Sequence, residues 1–141
     1  MSGFERPFKF CLLLTCGMVL LVAQAQAFDL NGAWATSAEA CGKIFVKKGD
    51  QFAFTQVAEE FGGGFVADGK QIRSKAARCT IKSRKETGDT IDVRAACISD
   101  ILATSILLRI KVLNDNTVSR EFTDPDMEGM QLTYYRCTMW D

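Results

Sequence analysis

Residues 79–97, CTIKSRKETGDTIDVRAAC, constrain this chain more than any other stretch, because they read as a β-hairpin with a cysteine at the same depth on each arm. On the second arm Ile91, Val93, Ala95 and Cys97 are apolar while Thr90, Asp92 and Arg94 are polar, the period-two pattern of a strand with one wet face. Ala96 is the one lapse. On the first arm Cys79 and Ile81 form the matching apolar face, and Thr80, Lys82 and Arg84 point the other way. Gly88 supplies the turn, since it takes φ > 0 without a Cβ penalty. A turn centred on Gly88 sets Cys79 opposite Cys97, close enough for a disulfide. A two-residue turn of Gly88-Asp89 would slip the register by one residue and break that match.

The compartment follows from the N-terminus. Arg6 and Lys9 form a short basic region, Phe10 to Val22 is an apolar run, and Ala23-Gln24-Ala25-Gln26-Ala27 closes it with small residues at alternate positions. This is the pattern of a secretory signal, residues 1–27, cut after Ala27, and its apolar run is short for a membrane span. A lipoprotein anchor on Cys16 is the rival, but Thr15 is not the small residue such a site wants and the apolar run continues past it. Of the six cysteines, Cys11 and Cys16 leave with the signal, and Cys41, Cys79, Cys97 and Cys137 remain. An even set in an exported chain reads as disulfides. Zinc is disfavoured, because the four lack C-x-x-C spacing and the chain has no histidine. With 17 basic and 17 acidic residues overall, of which the signal removes Arg6, Lys9 and Glu5, the rest stays close to neutral and has no global field to steer nucleic acid or membranes. No N-x-S/T acceptor occurs, which suits a bacterial exported protein.

Residues 28–141 read as a single all-β domain. Strands are expected around Ala33-Trp34, over Lys43 to Lys48 with a turn at Gly49-Asp50 into Gln51 to Val57, on both sides of Asp68-Gly69, in the cysteine hairpin, and over Ile106 to Val112. In the last of these Ile106, Leu108, Ile110 and Val112 alternate with Leu107, Arg109 and Lys111, although a helix competes for the run. Ile98 to Ser105 reads as a connection able to hold one helical turn capped by Ser99. Asn114-Asp115-Asn116 turns the chain into Thr117 to Phe122, and Met130 to Cys137 is the last strand. About eight short antiparallel strands in a chain this size form a disulfide-stapled barrel or sandwich, and closure is the complete way to hide sheet edges. If first and last strands pair, Cys41 reaches Cys137 and leaves Cys79 for Cys97. Sequence alone leaves the other two connectivities open.

Gly32-Ala33-Trp34, soon after the expected mature start, resembles the G-x-W opening of lipocalin-type barrels and of the related small bacterial inhibitors of secreted metalloproteases. The resemblance implies that Trp34 plugs one end of a barrel; the plainer reading makes it a core aromatic. It covers the tripeptide and the strand count, so the ligand cavity of a full lipocalin is not carried over as an expectation.

The candidate sites are few. Without histidine there is no Ser-His or Cys-His nucleophile, so no enzyme and no cofactor is expected. Glu59-Glu60 would point to opposite sides of an extended chain and make no acid/base pair. Asp124-Pro125-Asp126-Met127-Glu128-Gly129 starts like a calcium loop, but an EF-hand needs a glutamate where Tyr135 stands. Between Asp68 and Glu86 there are seven Lys and Arg and no acid, and Arg78, Lys82 and Arg84 share parity, with Arg94 available from the next strand. Such a stripe could hold an anionic lipid, glycan or protein surface, or simply keep an edge soluble. Aromatic residues are not interleaved with it, against nucleic acid. Phe61-Gly62-Gly63-Gly64-Phe65 reads as a mobile loop with apolar tips for a partner, or as a connection with core phenylalanines. The leading expectation is an exported non-enzymatic binding module with a basic strand face. The alternatives are an inhibitor of a secreted protease or lysozyme, acting through the N-terminal segment or the glycine loop, and a structural envelope protein.

Overall fold

The computed structural model describes residue 3 and residues 26–140. The expected export signal therefore lies almost wholly outside the described residues. Eight strands close into an antiparallel barrel: β1 (Gly32–Ala35), β4 (Gly64–Ala67), β5 (Gln71–Arg73), β6 (Ala77–Thr87), β7 (Thr90–Ser99), β8 (Ala103–Asn114), β9 (Thr117–Glu121) and β10 (Gln131–Arg136). They run in the ring order β1-β10-β9-β8-β7-β6-β5-β4, so the all-β expectation holds and the barrel, not the sandwich, is the outcome. Between β1 and β4 the chain leaves the ring for a short helix α1 (Cys41–Ile44) and a two-stranded ribbon of β2 (Phe45–Lys48) and β3 (Gln51–Phe54).

The inward residues are those the alternation marked. Ile91, Val93 and Ala95 on β7 face Ile110, Leu108 and Ile106 on β8, and all six belong to the barrel core. A second apolar cluster lies outside the ring, where Ala33, Ala35 and Val66 on the outer face of β1 and β4 pack against Ile44 and Phe45. Alanines at those outward positions let α1 come close. Both disulfides form, Cys41–Cys137 tying α1 to the end of β10 and Cys79–Cys97 bridging β6 and β7.

Three local expectations change. The strand placed at Lys43–Lys48 begins at Phe45, because Cys41–Ile44 turn helically to set Cys41 against Cys137. No helical turn forms in Ile98–Ser105: β7 runs to Ser99, β8 starts at Ala103, and Ser99 closes the turn by donating from its backbone N and its Oγ to the Leu102 carbonyl. The hairpin register combines both turn alternatives. The turn is the two-residue Gly88-Asp89, with Thr87 opposite Thr90, yet Cys79 still faces Cys97, because a β-bulge between Ile81 and Ser83 takes up the one-residue slip at Lys82.

Candidate functional site

The two ends of the barrel differ. At one end lie the turns Gly88-Asp89 and Asp115-Asn116 and the entry to β1; at the other lie the connections β5–β6, β7–β8 and β9–β10. Trp34 closes the first end. It is fully buried, donates Nε1–H to the Leu30 carbonyl at 2.8 Å, and carries the Arg136 guanidinium over its ring at 4.3 Å. Arg136 also donates to the carbonyls of Asn31 and Asp29, each at 2.6 Å, and of Asp115 at 3.2 Å, so one side chain of the last strand clamps the segment before the first.

Toward the other end the ring encloses a cavity of about 320 Å³, near the lower limit for small-molecule sites. Its inner end is aromatic: Phe65 stacks on Trp34 with centroids 6.0 Å apart, and Tyr134 meets Phe65 edge-on at 5.0 Å. Ile72, Ile106, Leu108 and the Cys79–Cys97 disulfide form walls, with Ser74 and Thr104 near the mouth. Two polar groups stand deeper. Arg120 is opposite the buried Ile110 on β8, which fixes it at an inward position, and its guanidinium lies over the Phe122 ring at 4.5 Å. Burial pushes the Tyr134 phenol above its ordinary value, against the opposing influence of the Arg120 charge, so the hydroxyl remains a donor at neutral pH. Among the described residues Arg120 makes no ion pair.

The basic stripe is redistributed. Because the bulge reverses parity beyond Lys82, Arg84 sits opposite Val93 and Glu86 opposite Ile91, both inward partners. Arg84 therefore leaves the outer face and binds the Phe28 carbonyl and the Glu86 carboxylate at the closed end. Arg78, Lys82 and Arg94 are exposed on the outer wall, where Lys85 and Arg109 join them through their pairing with outward-facing Asp92. Asp92 is the one carboxylate at the outward positions of β6, β7 and β8. Arg109 grips it with two bonds, 2.8 and 2.9 Å, and these hold it below the usual carboxylate range.

The glycine stretch is organised rather than loose. Ala58–Phe61 form a turn of 3₁₀ helix, Gly62 takes φ +91°, and Phe65 points into the barrel. Gly64 lies against β1, where an added Cβ would collide with the Trp34 carbonyl oxygen and press on the Phe45 ring. Gly64→Ala is therefore expected to lower unfolding free energy by about 1–3 kcal/mol. Gly88→Asn, at φ +61° with open space around it, should lose under about 1 kcal/mol, and urea melts of the two variants check the contrast. The acidic turn at Pro125–Met127 also has a local explanation, since Asp124 accepts from the Asp126 backbone N at 3.0 Å.

Sequence reasoning missed the cavity, Arg120 and Arg136. The available signal was the parity of β9, where Val118 and Arg120 share a face. Compared with known protein families, curated proteins and solved structures, the chain finds no match.

Proposed function

We propose that this protein is an exported, non-enzymatic, lipocalin-like binding module that holds one small amphiphile in its barrel. The apolar part would rest on Phe65 between Ile72, Ile106 and Leu108, and an anionic head would face Arg120 and the Tyr134 hydroxyl. The observation that carries this reading is the inward Arg120, the one charged side chain among the described residues that lines a mostly apolar chamber. A half-buried guanidinium without a carboxylate is costly unless something charged meets it. The hydrolase-inhibitor alternative draws less support, because its N-terminal segment is held by Trp34, Arg84 and Arg136 and its glycine loop is packed on β1.

The test is displacement of the fluorophore 1-anilinonaphthalene-8-sulfonate by decanoate and by decanol. Decanoate should displace the dye at lower concentration than decanol. Arg120→Gln should weaken decanoate about tenfold or more while leaving decanol nearly unchanged, as expected for loss of one charge-assisted contact. Equal affinity of wild type and Arg120→Gln for decanoate would remove the proposed role of the guanidinium.

A further inference from the structure

On the outer wall, Arg73 and Arg78 stand directly opposite each other on β5 and β6. Like charges in that relation destabilise a sheet. Neither forms an ion pair among the described residues; Arg73 donates only to the Phe52 carbonyl, at 3.3 Å. Both border clefts of about 570 and 500 Å³ between the ribbon and the barrel. Lys75 is exposed in the β5–β6 connection beside them. The next strand outward places Ile98 opposite Arg78, and Ile98 opens the most exposed apolar feature of the fold: Ile98 is 67 % exposed, Ile101 94 % and Leu102 61 %, all at the β7–β8 turn.

We propose that this corner docks on an anionic phospholipid surface, with Arg73, Lys75 and Arg78 on headgroup phosphates and the Ile98-Ile101-Leu102 tip entering the acyl boundary. A protruding apolar turn flanked by cations that meet backbone carbonyls, as Arg73 and Lys75 do, and among the described residues no carboxylate, suits a layered partner that is charged outside and apolar beneath. A soluble polyanion would use the arginines and leave the isoleucines in water. The barrel lies on the surface and does not cross it, since its interior is mostly apolar and the outer wall of β6, β7 and β8 carries Arg78, Lys82, Lys85, Asp92, Arg94 and Arg109, the reverse of a spanning barrel. Two acidic features shape the pose. Asp100 sits within the turn, where it limits depth, and Asp124, Asp126 and Glu128 occupy the neighbouring β9–β10 connection. Repulsion there tilts the molecule onto the basic wall that continues through Lys82 and Arg94. This surface borders the mouth of the cavity, sharing Ser74 and Ala77 with it, but Arg73, Lys75, Arg78 and the turn residues do not line the cavity.

Co-sedimentation of the oxidised protein with phosphatidylcholine vesicles, with and without roughly 30 % phosphatidylglycerol, tests the proposal. Binding should be at least about tenfold stronger to the anionic vesicles and should weaken about tenfold when salt rises from about 0.1 to about 0.5 M. Ile101→Asp and Arg78→Glu should each weaken it about tenfold, with unchanged near-ultraviolet circular dichroism. Equal binding to neutral vesicles would overturn the role of the arginines. Retention on heparin by wild type and Ile101→Asp alike, without vesicle binding, would overturn the lipid assignment in favour of a soluble polyanion.

Discussion

Trp34→Ala should lower the unfolding free energy by about 4 kcal/mol, a large share of the roughly 5–15 kcal/mol that holds a domain of this size together. The indole is fully buried between Phe28, Phe65 and Arg136, and removing it leaves a void at the closed end that surrounding strands cannot collapse into. It also strips the Leu30 carbonyl of its donor. Trp34→Phe keeps most of the volume and loses the N–H, so it should cost about 2 kcal/mol. Arg136→Ala should cost about 2–3 kcal/mol, because the same guanidinium stacks on the indole and binds three carbonyls. A double-mutant cycle then isolates the stack. If ring and guanidinium act together, the Trp34→Ala and Arg136→Ala losses should fall short of additivity by about 1–2 kcal/mol in urea melts. Strict additivity would mean that Arg136 works through the carbonyls alone.

Much of this fold is legible in the sequence wherever an apolar face marks the strand. Ile91 to Cys97 and Ile106 to Val112 alternate with single lapses at Ala96 and Leu107, and both are paired and oriented as the alternation implies. Legibility fails where that marker stops. After Ile81 the first arm of the hairpin runs Lys82-Ser83-Arg84-Lys85-Glu86-Thr87, with no apolar residue to reveal which side faces in. The bulge hides there, and the parity of Arg84 with it. The glycines between Phe61 and Phe65 looked like slack because composition does not distinguish freedom from close approach. At Gly64 the neighbour is the Trp34 backbone, thirty positions away in the chain. Arg136 is opaque for the same reason, since every group it clamps except Asp115 belongs to the opposite end of the sequence. The cavity was invisible because its walls and a solid core use the same residues, and only Arg120 breaks the pattern.

Removing the Cys41–Cys137 bridge by paired alanines should cost about 4–5 kcal/mol, against about 3 kcal/mol for Cys79 and Cys97, since the first closes a loop of 96 residues' separation and the second one of 18. The smaller loop lies inside the larger, so its closure shortens the outer one and reduces the outer bond's effect by about 0.2 kcal/mol at most. The order of the two losses should therefore survive whichever bridge is removed first. Native contacts push in the same direction. Cys41 is buried with Ile44, Phe45 and Val66 in the outer cluster, and its bond to Cys137 is the covalent tie between that insertion and the last strand. Cys79 and Cys97 are instead flanked by a ladder that pairs the hairpin from Ala77–Ser99 to Thr87–Thr90. The ladder keeps their strands together without the bond. Loop entropy acts on the unfolded chain, so the Cys41–Cys137 variant should also unfold with a steeper urea dependence, its denatured state exposing more surface. Equal losses for the two pairs with unchanged slopes would assign the stabilisation to local packing at each bridge instead of to the length of chain it closes.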